Sequence, residues 1–138
     1  MHLLESTTIS TLAKWDIKGV RTENPGVWAE DEEKKIAALG VHLRRNISSY
    51  GVGLNVNTDL RWFDRIVACG LVGKSVTTMS DLCRERDNFE EDVSDNLYAA
   101  LKLDAVGRVW MRGFARGLYG EGGEEKIREA GFEELELD

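Results

Sequence analysis

Two side chains in the stretch Pro25 to Gly70 can carry covalent or proton-transfer chemistry. They are Lys35 and Cys69, 34 positions apart. An ionised thiol is both a nucleophile and a leaving group, and an amine can move protons to and from it. The stretch reads PGVWAEDEEKKIAALGVHLRRNISSYGVGLNVNTDLRWFDRIVACG. On residue type alone each of the two has a plainer reading. A lysine at a strand end commonly lays its stem on apolar surface and reaches solvent. A lone cysteine is commonly a small buried apolar residue, which is how Cys83 is read. Other chemistries have no footing: CxxC, HExxH, GxSxG and the phosphate-binding GxxxxGK[ST] are all missing. With only His2 and His42 in the chain, no histidine metal site is expected.

Two β-type runs must position this pair, Lys35 to Leu43 and Ile47 to Asn57, joined by Arg44-Arg45-Asn46. Alternation along the first run puts Lys35 on one face with Ala37, Leu39, Val41 and Leu43. Ile36, Ala38, Gly40 and His42 take the other face. Both faces are apolar or small, so the run is expected to be covered on both sides. Gly51 and Gly53 share a face of the second run, where they either leave room for a ligand or mark a bulge.

Around this centre the pattern gives a helix over His2 to Asp16, with Leu4, Thr8, Leu12 and Trp15 at helical spacing. Asn24-Pro25-Gly26 is a turn, Gly26 to Glu30 a short strand, and Asp31 to Lys34 a charged turn that makes a hairpin. Asp59 is expected to cap a short helix holding Leu60, Trp62 and Phe63. Val76 to Met79 reads as a strand, followed by a helical segment capped by Ser80 or Asp81 and ending near Arg86. Asp87 to Asp92 reads as an exposed acidic loop. A long helix is expected from Ser94 to Tyr119, its apolar stripe being Leu97, Leu101, Ala105, Val109 and Phe114, widened by Trp110 and weakened by Gly107 and Gly113. A weak helix follows over Glu124 to Ala130.

The 138 residues suit a single domain, 1–138, with 42% hydrophobic and 31% charged residues as in ordinary soluble proteins. No apolar run reaches 18 residues, and the first thirty positions do not read as a signal peptide. Two cysteines suit a reducing compartment. A net charge of −7 argues against general nucleic-acid binding. Lys34 to Lys74 nevertheless holds seven Lys/Arg against two Asp/Glu, a local +5 that points to an acidic partner.

Several motifs in register resemble the octanoyltransferase family, also called lipoyl(octanoyl) transferases. They are Pro25-Gly26-Val27-Trp28, Lys35 to Gly40, Gly51 to Asn57, Asp59-Leu60, Phe63, Ile66, Cys69-Gly70 and Val76-Thr77, with Thr11-Leu12-Ala13 before them. The similarity runs from about Leu3 to Leu82, with an echo in the long helix. The resemblance implies an α+β fold, a mixed sheet packed by helices, of the kind shared with biotin and lipoate ligases. Residues 1–86 would be the C-terminal part of that catalytic domain, and 87–138 an acidic loop, long helix and tail of the same domain.

The resemblance also implies acyl transfer. Cys69 would take octanoyl from the phosphopantetheine of an acyl carrier protein, and Lys35 would exchange protons with the thiol and then with the acceptor lysine of a lipoyl domain. Such domains belong to 2-oxoacid dehydrogenase E2 subunits and the glycine cleavage H protein. Ala38, Leu39, Gly40, Gly51, Val52 and Gly53 would line the acyl pocket, with no cofactor besides the donor's own arm, no metal, no nucleic acid and no membrane. Tyr50 and Ala68 stand where the family often has histidine and proline. The family's upstream arginine–glycine–glycine segment has no counterpart before Lys35. The alternatives are a truncated or non-catalytic remnant that binds carrier proteins or lipoyl domains, and an ATP-dependent lipoate–protein ligase. The charged insertion Glu30 to Lys34 resembles fungal members, hence a mitochondrial expectation, or a cytoplasmic one for a bacterial chain.

Overall fold

The computed structural model describes residues 1–65, 73–87 and 101–126. Cys69, the acidic loop after Asp87, Ser94 and Leu97 of the expected long helix, and the tail beyond Lys126 lie outside the described residues. The described elements form a mixed sheet with helices, the α+β arrangement expected. Helix α1 spans His2–Leu12 and tightens into a 3-10 turn over Ala13–Trp15. That turn ends on Asp16 at φ 55, a left-handed position that an aspartate tolerates better than most residues. Strand β1 (Gly19–Val20) pairs antiparallel with β2 (Val27–Ala29). Two residues give no periodicity, which is why β1 was not legible in the sequence.

The hairpin around Asp31 forms as expected. Its carboxylate accepts the amides of Glu33 and Lys34 at 2.9 and 3.3 Å, and the chain turns into β3 (Lys34–Arg44). β3 pairs with β4 (Ile47–Leu54) in unbroken antiparallel register from Ala37↔Leu54 to Arg44↔Ile47. The two residues between them, Arg45 at φ 48 and Asn46 at φ 67, make the tight turn whose left-handed pair matches the twist of a hairpin. β4 ends before Asn57, because the same edge of β3 is then taken by β5 (Ser75–Val76), parallel, at Lys34 and Lys35. The sheet order is β1-β2-β3-β4, with β5 beside β3.

The expectation that the first run is covered on both faces holds only at its base. Ile36 and Ala37 are fully buried, but Ala38 and the chain beyond it toward the turn are largely open. Leu43 and Ile47 are 71% and 73% exposed, so the outer half of the hairpin carries apolar side chains that nothing among the described residues covers.

Helix α2 (Met79–Asp87) starts at Met79, ahead of both expected caps, Ser80 and Asp81. Thr78 is the cap: its hydroxyl accepts the Asp81 amide at 3.0 Å and donates to the Asp81 carboxylate at 2.7 Å. Helix α3 (Leu103–Tyr119) packs across α1 and begins at Leu103 rather than running unbroken from Ser94, because Lys102 at its start is extended, at φ −66 and ψ 119. Its stripe is turned by one residue from the expected line: Ala105 is exposed, while Val106 and Ala115 are buried. The reason is the glycines read as helix-weakening. A Cβ at Gly113 would stand 3.3 Å from Thr7, and one at Gly117 would collide with Leu3. These bare positions let the two helix backbones approach. The Trp110 indole N–H crosses the seam to the Thr8 hydroxyl at 2.9 Å, and its ring stacks on Phe114 at 5.0 Å. Leu12, Ile17, Val27, Ile36, Val56, Met79, Cys83, Leu101 and Val106 make the core. No described helix is long and apolar enough to cross a membrane.

Candidate active site

The six residues expected to line a pocket come together. Ala38↔Gly53, Leu39↔Val52 and Gly40↔Gly51 are directly paired across β3 and β4, and the six line one open concavity of about 460 Å³. By alternation Ala38, Gly40, Gly51 and Gly53 share one face, where they form a floor with almost no side chain. The bulge reading of Gly51 and Gly53 is excluded by the unbroken register. Nor are these glycines there for left-handed backbone, since none of the three has positive φ. Nor does packing among the described residues require them: a Cβ built on Gly40, Gly51 or Gly53 meets none of those residues within 4 Å. What a bare floor leaves room for is something that lies on it.

Lys35 is not on that floor. Alternation puts its side chain on the opposite face, with Ala37 and Leu39. It is buried at 7% exposure, and its Nζ stands 4.7 Å from the centre of the Trp28 ring. Its backbone is held on both edges, by Trp28 in β2 and Val76 in β5, and its carbonyl accepts the Thr77 amide at 2.9 Å. Cys69 lies outside the described residues, so the lysine–thiol pair has no geometry to report. Cys83, the thiol read as structural, is buried in the core, and desolvation pushes its pKa up, as an inert thiol requires.

Sequence reasoning passed over Asn55 as a site residue. Its amide donates to the Ile36 carbonyl at 3.0 Å and its side-chain amide to the Thr77 carbonyl at 3.2 Å, while its carbonyl accepts the Met79 amide at 2.9 Å. It thereby fastens the end of the glycine strand to β5 and α2, beside the segment that clamps Lys35. The available signal was its place in GVGLNVN, immediately after the glycines.

The local +5 also resolves into particular groups. Lys34 pairs with Glu85 at 2.7 Å, which raises the lysine's pKa; Lys74 pairs with Glu33 at 2.9 Å and Arg61 with Asp59 at 2.6 Å. The Arg61 guanidinium holds the Asp59 carboxyl down at about 2. Among the described residues Arg44 and Arg45, at the exposed hairpin turn, have no ion-pair partner. Exposed positive charge without an ion-pair partner among the described residues is therefore found at the hairpin tip.

A larger cleft of about 690 Å³ opens between α1, the hairpin and α3, lined by Leu4, Val41, Val52, Val106, Trp110 and Phe114 among others. Among the described residues its lining carries no ionisable side chain, so what it offers is mainly apolar surface. Among the described residues no three His, Cys, Asp or Glu side chains converge as a metal set.

Residues 1–102 match the family described as lipoyl protein ligase A/B catalytic domain. The chain is 51% identical over 79 residues to a probable octanoyltransferase of Schizosaccharomyces pombe, covering 56% of this chain and 36% of that protein. It is 49% identical over 77 residues to a mitochondrial octanoyl-(acyl carrier protein):protein N-octanoyltransferase of Danio rerio, covering 56% and 34%. An octanoyltransferase of Flavobacterium psychrophilum is 43% identical over 96 residues, covering 66% and 41%. The chain spans between about a third and two-fifths of the length of these relatives.

Proposed function

This chain belongs to the lipoyl protein ligase A/B catalytic domain family, and from that membership we propose that it supplies part of an octanoyltransferase site. The observation that carries the reading is the floor of Ala38, Gly40, Gly51 and Gly53, bare for no reason of backbone or of packing among the described residues. A linear C8 chain needs such a surface, because larger side chains would occupy its path.

In this reading the Cys69 thiolate attacks the thioester carbonyl of an octanoyl carrier protein. The C–S bond to phosphopantetheine breaks, and the departing thiolate takes a proton. The acceptor lysine amine of a lipoyl domain then attacks the acyl-enzyme, an amide bond forms, and the Cys69 thiolate leaves. Lys35 is the group proposed to return a proton to the departing thiol and to take one from the attacking amine. The free arginines at the hairpin tip support acidic protein partners, since local positive potential steers acidic surfaces. Relatives named mitochondrial favour the mitochondrion for a eukaryotic chain, and the bacterial relatives the cytoplasm.

The test is intact-mass measurement after mixing the chain with octanoyl carrier protein in the absence of ATP. The expected result is one octanoyl adduct, lost in Cys69→Ser. Lys35→Arg keeps a positive charge but cannot deprotonate, so it should load the thiol and stall in transfer to the lipoyl domain by about 10²- to 10⁴-fold. The open outer half of the hairpin favours a second reading, binding of carrier protein or lipoyl domain without turnover. Affinity with no adduct under excess donor would select it. An adduct that forms only with ATP would select the ligase chemistry instead.

A further inference from the structure

Lys35 is buried, yet no described carboxylate lies within ion-pair distance of its Nζ. Buried ammonium groups ordinarily carry a partner. What faces this one is an indole, at 4.7 Å from Nζ to ring centre, within the range of a cation–π contact. Trp28 is itself immobilised. It is 1% exposed, and its indole N–H donates to the Asn24 carbonyl at 3.1 Å. The ring therefore cannot follow the lysine; the lysine must come to the ring.

The stem of the lysine is held as closely as its tip. Gly26 sits at φ 133, and a Cβ there would stand 3.1 Å from Lys35 Cε, 3.3 Å from Cδ and 2.8 Å from the Ala37 carbonyl oxygen. Only a residue without a side chain lets the methylene stem lie against this turn. The Gly26 amide is directed at the Glu5 carboxylate of α1 at 3.4 Å, so the turn is tied to the helix above it. Gly26 and Trp28 thus hold Lys35 from the neighbouring strand and turn, while Val76 and Thr77 hold its backbone from the other edge.

We propose that Gly26 and Trp28 form a cradle that positions the Lys35 ammonium, the turn receiving the stem and the ring face receiving the charge. The proposal rests on the reading of Lys35 as the proton carrier of the site. Trp28 is then a positioning residue acting through Lys35, and Gly26, two positions before it, receives the Cδ and Cε that lead to the ammonium.

An ammonium docked on a ring under a closed turn reacts slowly with acylating reagents. The test is acetylation of the intact chain by an N-hydroxysuccinimide ester at fixed pH, mapped residue by residue by mass spectrometry. Exposed Lys14 and Lys102 serve as internal references. Alkylation of buried Cys83 by iodoacetamide reports any general loosening of the core. Lys35 should acetylate at least tenfold more slowly than Lys14. Trp28→Leu should raise the Lys35 rate fivefold or more with Cys83 unchanged, and Trp28→Phe, which keeps a ring face, should stay within twofold of the native rate. Gly26→Ala, which displaces the stem and leaves the ring, should also expose Lys35; with Trp28→Phe it decides the matter if Trp28→Leu does not fold. The cradle is overturned if Trp28→Leu leaves Lys35 as slow as before, if Phe behaves as Leu does, or if Lys35 and Cys83 quicken in step. None of these readouts needs acyl transfer, so a chain that never acylates Cys69 would sink the functional reading and leave the cradle separately measured.

Discussion

Placing valine at both Gly40 and Gly51 tests what the bare stretch of sheet is for. The two are direct cross-strand partners, so the new side chains would meet each other on the floor. Neither Cβ would touch any other described residue, since none stands within 4 Å of either position. Removing a glycine from a strand interior gains about 0.5–1 kcal/mol per site, and an apolar cross-strand pair adds about 0.2–1 kcal/mol. The double variant should therefore unfold at higher urea, with a gain of about 1–3 kcal/mol. If an octanoyl chain lies there, the isopropyl groups displace part of it. Losing burial of three methylenes costs about 2.4 kcal/mol, or about fiftyfold in affinity. Octanamide titrated into ¹⁵N-labelled protein should move the amide signals of Gly40, Gly51 and Gly53 in the native chain. In the valine variant its binding should weaken by that factor. Stability and ligand binding would then move in opposite directions, which a packing role for the glycines cannot produce. A loss of more than about 1 kcal/mol in stability, or an unchanged octanamide affinity, would refute the reasoning.

Three further outcomes follow from local geometry. Thr78→Ala removes the cap of α2 and should destabilise by about 1–2 kcal/mol in chemical denaturation, while Thr78→Ser, which keeps the hydroxyl, should recover most of it; equal losses in both would assign the effect to the methyl group. Replacing Arg45-Asn46 by Asn-Gly relieves an arginine at φ 48 and should stabilise the hairpin by about 1 kcal/mol, seen as a higher melting temperature; no change would mean the turn relaxes in solution. The Asp59 carboxyl titrates below its unfolded value of 3.8, at about 2, so its pairing with Arg61 contributes stability above pH about 4 that is lost as pH falls through about 2. Carboxyl chemical shifts followed with pH should show this midpoint and its return to the ordinary range in Arg61→Ala; a midpoint unmoved by that substitution would mean Arg61 is not its cause.

What the sequence made legible was the part written in periodicity and turn chemistry. β3 and β4 announce themselves as two β-type runs, and Arg44-Arg45-Asn46 by its length and its asparagine. The six floor residues were found as a set because they sit in two short motifs that pair in register. Features that depend on contacts across the chain did not show. Gly113 and Gly117 look like flaws in a helix until Thr7 and Leu3 are seen against them. Thr78 sits in a run of β-formers, and its capping role depends on where the Asp81 amide points. Covering β3 on both faces was a fair inference from its composition, but outward from Ala38 the strand is largely exposed. The placement of Lys35 opposite the floor followed from alternation alone. Its ring partner did not, because Trp28 comes beside it only through the shift in register between Val27 and Trp28.

The stitching around Asn55 has a consequence for how this region breathes. The amides of Ser75, Thr77, Met79 and Ser80 all donate to carbonyls of the hairpin strands or their continuation, those of Glu33, Lys35, Asn55 and Val56. A two-residue strand has no cooperativity of its own, so β5 cannot open while its neighbours stay shut, nor the start of α2 without β5. Hydrogen exchange from these four amides should therefore share one opening free energy, set by the whole seam rather than by any single bond. The carbonyl of Lys35 belongs to the same seam. The backbone beneath the candidate proton carrier thus opens only when the whole seam opens.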